Sequence, residues 1–326
     1  MNVPARLLFP SLIVFACLAA PVIAPAQDAY PSRPIRLIIP FPPAGMGDNT
    51  ARMLVPKWSE LLRWQIVIEN RPGAGSNIGI DAVAKALPDG YTIGLFDSAM
   101  VVNPALYARL PYDAQRELQP IMIVARGPLV LTANPGLPVA NLNELVALAR
   151  AKPGSLSYAS AGSGTAIHLA AEMFKAAAGV DIVHVPYKGV APAMVDVIGG
   201  QVPLLFALPG TARAHIGSGK LRAIAITGAR RFRGLPTTPT FAEAGLRGVD
   251  ATLIVGFMAP ARTPAAIVRV LHDALASVVA SADIVDRLGE QALDVVASDP
   301  ARSTEILRTE QALWAKVVKS SGATAE

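Results

Sequence analysis

Cysteine is all but missing from the 326 residues: Cys17 is the only one. The chain downstream of it can hold no disulfide, no thiolate nucleophile and no cysteine metal site. Charge is also scarce. Asp, Glu, Lys and Arg together make up 16% of the chain and aromatics 6%, and the net charge of +5 comes without any basic run. That balance argues against nucleic acid as a partner. After residue 30, no stretch has the roughly 18 uninterrupted apolar positions that a membrane span requires. His184, His215 and His272 are scattered, and no G-x-S-x-G elbow occurs. Apolar residues, by contrast, are plentiful at 52%, which excludes a long disordered chain.

The N-terminus reads as an address. Arg6 is followed by the apolar block Leu7–Ala16 and then by Ala24-Pro25-Ala26-Gln27, the cation, core and A-x-A site of a secretory signal peptide over residues 1–26. Pro10, Pro21 and Pro25 disfavour a membrane anchor. Acylation of Cys17 is disfavoured by the bulky Phe15 in the preceding Val14-Phe15-Ala16. A periplasmic protein of about 300 residues is expected, more than one core usually serves, hence two lobes.

Strand-like runs alternate with amphipathic helical stretches. Ile35–Ile39 reads as a buried strand, and Ala51, Leu54, Trp58, Leu61 and Leu62 as one side of the following helix. A second strand at Ile66–Glu69, a helix near Ile78–Ala86 and a strand at Thr92–Phe96 complete βαβαβ, the pattern of a mostly parallel α/β sheet flanked by helices. The runs Ile121–Ala125 and Leu129–Ala133 read as the passage into a second lobe. There, helices at Leu142–Ala151, Ala166–Ala177 and Ala191–Ile198 alternate with short strands. The run Thr252–Ala259 returns to the first lobe, and helices at Ala265–Ala280 and Pro300–Ser320 finish it. Lobe 1 is therefore residues 27–127 plus 252–326, and lobe 2 is 128–251. Two crossings suit a hinge that closes on a ligand.

Three loops each end a strand and open a helix, the place where open α/β sheets bind ligands. In Pro42-Pro43-Ala44-Gly45-Met46-Gly47-Asp48, glycines admit close approach to backbone N–H groups, and Asp48 is expected to cap the helix. In Asp97-Ser98-Ala99-Met100, Ser98 can donate to a carboxylate. The third, Ser160-Ala161-Gly162-Ser163-Gly164-Thr165, offers hydroxyls and amides around an anion with no cationic side chain. Gly73-Ala74-Gly75-Ser76-Asn77-Ile78-Gly79 misses the dinucleotide spacing by one residue and reads as a turn with Asn77 near a helix cap. His168 and Glu172 lie four apart but lack a third metal ligand at a recognisable spacing. No catalytic residue, cofactor or metal is expected.

The mature chain resembles the Bug-type (TctC-like) periplasmic solute-binding receptors of tripartite tricarboxylate transporters. The resemblance rests on Tyr30-Pro31-Ser32-Arg33-Pro34-Ile35, Pro40-Phe41-Pro42-Pro43, Glu69-Asn70-Arg71-Pro72-Gly73-Ala74-Gly75 and Pro88-Asp89-Gly90-Tyr91-Thr92. It continues through Asn103-Pro104, Tyr158-Ala159-Ser160-Ala161-Gly162 with Gly164-Thr165, His184-Val185-Pro186-Tyr187-Lys188-Gly189, Gly219-Lys220-Leu221-Arg222-Ala223 and Glu243-Ala244-Gly245, as far as Trp314-Ala315-Lys316-Val317. It implies a two-lobed Venus-flytrap, type II-like periplasmic-binding-protein fold, monomeric, that delivers a small carboxylate to a membrane permease. The carboxylate would be held by amides, hydroxyls and bridging waters. By position, Phe41, Pro42, Ala44, Gly45 and Met46 come from the first loop, with Asp48 behind them. Asp97, Ser98 and Ala99 come from the second loop, and Ser160, Gly162, Gly164 and Thr165 from the third. Asn77, His168, Phe206 and Ala207 are further neighbours. The chain departs from the family where Ala44-Gly45-Met46-Gly47-Asp48 replaces a triple glycine followed by Thr-Asp. It departs again where Phe206 is followed by Ala207 instead of an acidic residue, and where Asp97-Ser98-Ala99 replaces a Gly/Thr/Ser-rich stretch. Two rival readings are a ligand-sensing partner of a membrane signalling protein, and a hydrolase built on Ser98 or Ser160, which would need His168 as base.

Overall fold

The computed structural model describes residues 30–325 apart from Ala44. The expected leader with Cys17, and Ala44 of the first loop, lie outside the described residues. The chain begins with β1 (Ile35–Ile39), α1 (Met46–Leu62), β2 (Ile66–Asn70), a 3-10 turn at Ala74–Ser76, α2 (Asn77–Ala84), β3 (Thr92–Asp97) and α3 (Ala99–Leu106). β1 pairs in parallel with both β2 and β3, as the alternation of apolar runs predicts. Ala51, Leu54, Trp58 and Leu62 of α1 are buried. Leu61, expected beside them, is 52% exposed, because a one-residue step turns a helix by about 100°. Trp58 meets Phe257 edge-on at 5.0 Å, and its indole N–H donates to the Leu271 carbonyl at 3.2 Å.

The middle of the chain supplies β4 (Leu118–Pro128), β5 (Val130–Ala133), α4 (Leu142–Ala151), β6 (Ser157–Ser160) and α5 (Ala166–Ala178). It continues with β7 (Val183–Pro186), α6 (Val190–Ile198), β8 (Leu204–Ala207), α7 (Pro209–Gly217) and β9 (Arg222–Ile226). β10 (Thr252–Pro260), α8 (Ala265–Val279), α9 (Ala282–Glu290), β11 (Asp294–Val295) and α10 (Pro300–Ser321) complete it. α7, α9 and β11 are additions to the expected set. α9 buries only Ile284 and Leu288, and two residues of strand carry no alternation to read.

The strands form two sheets, ordered β11-β4-β10-β3-β1-β2 and β7-β6-β8-β5-β9. Both are mixed, which corrects the expectation of mostly parallel sheets. The βαβ portions are parallel, while β10 runs antiparallel to β3 and β4, and β5 runs antiparallel to β8 and β9. The cause is the pair of crossings: a chain that leaves one sheet along β4 and returns along β10 must travel in opposite senses. Only Leu129 separates β4 from β5. Its N–H donates to Thr227 Oγ1 at 2.8 Å, and the Thr227 hydroxyl donates in turn to the Ala251 carbonyl. One buried side chain thus ties both crossing segments together.

Register places the strand ends. Asp97 lies opposite Val255, and Pro128 opposite Thr252, so β1 and β3 end at the edge where β4 departs. Val130 lies opposite both Ala207 and Ile226, and β6 runs parallel to β8. The C-terminal ends of β1, β3, β6, β8 and β9 therefore all face the junction of the sheets. α10 runs across that junction, packing on α3 and α5 with Trp314 fully buried. Among the described residues no single helix is long and apolar enough to cross a membrane.

Candidate functional site

The first loop is fastened from below. Asn70, at the end of β2, donates through Nδ2 to the Phe41 carbonyl at 3.0 Å and to Asp48 Oδ1 at 2.9 Å. Arg52 Nε donates to Asp48 Oδ2 at 2.8 Å. The N-cap of α1 is Gly45, with no side-chain cap bond, which corrects the expectation for Asp48. Asp48 sits two residues inside the helix, 1% exposed, where two side-chain donors and the positive helix end stabilise the carboxylate. The Phe41 ring lies over Gly47, where a Cβ would come within 2.9 Å of it. Pro42 is exposed, and Gly45 and Met46 are half-buried.

In the second loop, Asp97 Oδ1 accepts the Ala99 N–H at 2.8 Å. Enclosure nevertheless pushes the carboxyl up to about 6, outweighing the backbone hydrogen bonds that favour its ionised form. Ser98 is 1% exposed and accepts the Ile254 N–H at 3.1 Å. Its oxygen therefore clips α3 to the crossing strand β10. Ala99 is half-buried.

The third loop makes two left-handed steps, Gly162 at φ 130° and Gly164 at φ 77°, conformations that favour glycine. Thr165 is the N-cap of α5: its Oγ1 accepts the His168 N–H at 3.3 Å and donates to the Gly162 carbonyl at 2.8 Å. Gly164 is pressed on Leu106 of α3, so closely that a Cβ would lie 1.7 Å from Leu106 Cδ2. This contact joins the two sheets' layers beside the site. Behind the loop, Tyr187 N–H donates to the Ser160 carbonyl and Gly189 N–H to the Ala161 carbonyl, both at 3.1 Å.

Two of the four histidines, His168 and His184, come together here. His184 Nε2 is 2.7 Å from Ser160 Oγ, which also accepts the Gly162 N–H at 3.1 Å. His168 Nδ1 accepts the Gly164 N–H at 2.9 Å, so its ring proton sits on Nε2. The two imidazoles stack at 4.0 Å and 9°, and the Tyr158 ring lies against both, 5.0 Å from His184 and 6.3 Å from His168. Burial holds His168 below the ordinary histidine range. Glu172 Oε1 accepts from the Tyr158 hydroxyl at 2.6 Å and from Lys175 Nζ at 2.8 Å. Ser160 is fully buried, and its partner is His184, not His168. A nucleophile must reach a substrate carbonyl, and this hydroxyl is committed to shaping the loop. His184 was missed because its pairing depends on the parallel register that sets it opposite Tyr158.

The remaining candidates serve the scaffold. Asn77 Oδ1 accepts from Asn103 Nδ2 at 2.8 Å and from the Tyr112 hydroxyl at 2.7 Å, holding the Gly-rich turn to α3. Phe206 and Ala207 are buried in β8, with the Phe206 ring stacked 6.0 Å from Phe241. None of the three loops contains a lysine or arginine. Their donors are amides and hydroxyls at helix starts.

Comparison with known proteins agrees over most of the chain. The model of the tripartite tricarboxylate transporter family receptor matches residues 50–323. The protein BugT of Bordetella pertussis is 37% identical over 313 residues, 95% of each chain. A solved R. palustris protein with adipate has 32% identity and a TM-score of 0.85, covering 91% of this chain and all of that one. The periplasmic binding protein BugD has 33% identity and a TM-score of 0.82 over the same shares.

Proposed function

The chain belongs to the tripartite tricarboxylate transporter receptor family, and from that premise we propose that it captures a small carboxylate between its two halves and hands it to the membrane permease of such a transporter. Family members are periplasmic solute-binding proteins, not enzymes. On this reading residues 1–26 direct export, residues 27–127 with 252–326 form one lobe, residues 128–251 form the other, and the receptor works as a monomer.

The observation that carries the proposal is the start of α5. There Gly162 and Gly164 take left-handed conformations and Thr165 caps the helix, with no cation in any of the three loops. Fixed amides and hydroxyls replace the carboxylate's water, and closure strengthens those bonds by excluding solvent. The contacts proposed are Gly162, Gly164 and Thr165 from the third loop, Gly45 and Met46 from the first, and Ala99 from the second. Ser98 and Ser160 act by holding backbone in place. Adipate, bound by a relative, is a dicarboxylate that such a site accepts.

Calorimetry against a panel of mono-, di- and tricarboxylates including adipate tests the reading. At least one should bind with a Kd of about 1–10 μM, equivalent to about 7–8 kcal/mol. A blank across the panel overturns it.

A further inference from the structure

A cavity of about 580 Å³ lies at the junction of the sheets, away from the three loops. Its position follows from strand order. The three loops issue from β1 and β3, on one side of the β4–β10 pair, and from β6, on the β8 side of β5. The cavity is lined from the opposite side of both, by the segment after β9 (residues 227–233) and by residues 285–296 around the end of α9 and β11. Arg126 to Pro128 and Thr252, from the crossings themselves, form its base. It is the back of the hinge.

Four arginines line this cavity, Arg126, Arg230, Arg231 and Arg233, against one carboxylate, Asp294. Two are engaged. Arg230 meets Asp294 at 2.6 Å, and Arg231 Nε donates to Glu243 at 2.7 Å. Arg126 and Arg233 form no side-chain hydrogen bond or ion pair among the described residues. Arg126 senses the Glu310 carboxyl through space, and Asp250 also acts on that carboxyl. Arg233 is held in place: Gly289, in the last turn of α9, leaves room for its guanidinium, and a Cβ there would come 2.5 Å from Nη2. The negative end of a helix favours a cation at that spot. The guanidinium groups of Arg126 and Arg233, neither in a hydrogen bond or short ion pair among the described residues, thus come from different parts of the hinge, one from β4 and one from the segment after β9.

We propose that this cavity is a second anion site, taking a small phosphate-type oxyanion bridged between Arg126 and Arg233. A carboxylate presents one planar edge to a guanidinium fork, whereas a phosphate-type anion offers oxygens on several faces, which suits forks arriving from two walls. The volume lies in the range of small-molecule sites. The proposal is independent of which carboxylate the front loops bind.

The test is calorimetry of the intact protein with inorganic pyrophosphate at low ionic strength. Saturable binding is expected below about 1 mM, weakened at least about tenfold by Arg126→Ala and by Arg233→Ala. Arg302→Ala, on the exposed face of α10, should leave it unchanged. Gly289→Ala should weaken binding without removing any charge, because the added methyl displaces the Arg233 guanidinium. Thermal unfolding of each variant verifies the fold. The site is overturned by absence of binding, by its persistence in an Arg126→Ala/Arg233→Ala double variant, or by equal weakening in Arg302→Ala.

Discussion

Replacing Asp97 by Asn should abolish a loss of stability that the protein suffers as pH rises. Enclosure raises this carboxyl to about 6, against 3.8 for an unperturbed aspartate. Between those values the unfolded chain has released the proton while the folded chain keeps it, so the folded state binds more protons and stability falls as pH climbs through the window. Below about pH 4 both states are protonated and the effect vanishes. Above about pH 7 it is complete, with a ceiling of about 3 kcal/mol at 1.36 kcal/mol per unit. Asparagine has the same shape, keeps an oxygen to accept the Ala99 N–H, and has no charge to desolvate. His168 acts in the opposite sense: burial lowers its pKa, so its contribution is lost as pH falls through the ordinary histidine range. The difference between wild type and variant cancels that contribution. Urea unfolding of both proteins at several values from about pH 4 to about pH 8 should show equal stability at the acid end and a variant more stable by about 2–3 kcal/mol at the other. A difference that stays constant with pH, or a variant less stable at about pH 8, refutes the argument that burial governs Asp97.

Thr227→Val fills nearly the same space but leaves the Leu129 N–H and the Ala251 carbonyl unpaired in the hinge, and chemical unfolding should show a loss of about 2–4 kcal/mol. A loss below about 1 kcal/mol means water replaces the hydroxyl there. Gly164→Ala forces a side chain into a left-handed position and against Leu106. It should cost more than about 2 kcal/mol, and Leu106→Ala in the same chain should return part of that; strict additivity would disprove the contact. Ser98→Ala strands the buried Ile254 N–H, with a loss of about 1–3 kcal/mol expected in urea unfolding. An unchanged midpoint would show that the amide finds another acceptor.

The elements were largely legible because their signals are local. β1, α4 and the return strand β10 fall within one residue of the apolar runs that announce them, and the helix after the third loop starts at Ala166 as its pattern requires. Sheet direction was not legible. Whether Thr252–Pro260 runs with or against β3 depends on which way the chain travels after crossing, and no residue of that strand records it. The candidate site shows the same division. Glycines at 162 and 164 mark left-handed turns that only backbone geometry needs, so the residue type points to the conformation. Ser98 and Asn77 were legible as polar residues near turns, but their partners Ile254 and Tyr112 lie 156 and 35 positions away. A hydroxyl facing a ligand and a hydroxyl clamping a distant amide look identical in a sequence. The pairing of Ser160 with His184 was hidden for the same reason.

Charge is distributed in opposite ways on the two sides of the hinge, and this bears on selectivity. At the front, no lysine or arginine occurs in the three loops. Asp48 is neutralised by Arg52, and Asp97 is driven toward its protonated form by burial. At the back, four arginines line the cavity, two of them paired with Asp294 and Glu243. A site of neutral donors gains little from the ligand's total charge and much from the fit of its donors, because each unmet oxygen in a closed cleft costs about 1–3 kcal/mol. Guanidinium groups lining a solvent-reachable cavity respond to charge density, and their hold on an anion is weakened by salt. Raising ionic strength should therefore leave carboxylate capture nearly unchanged while releasing a phosphate-type anion from the hinge. Binding isotherms for adipate and pyrophosphate at about 20 mM and about 300 mM salt separate the two sides. A carboxylate affinity that falls as steeply as that for pyrophosphate would mean that cations outside the three loops reach into the front cleft, and recognition there would have to be reassigned from amides to charge.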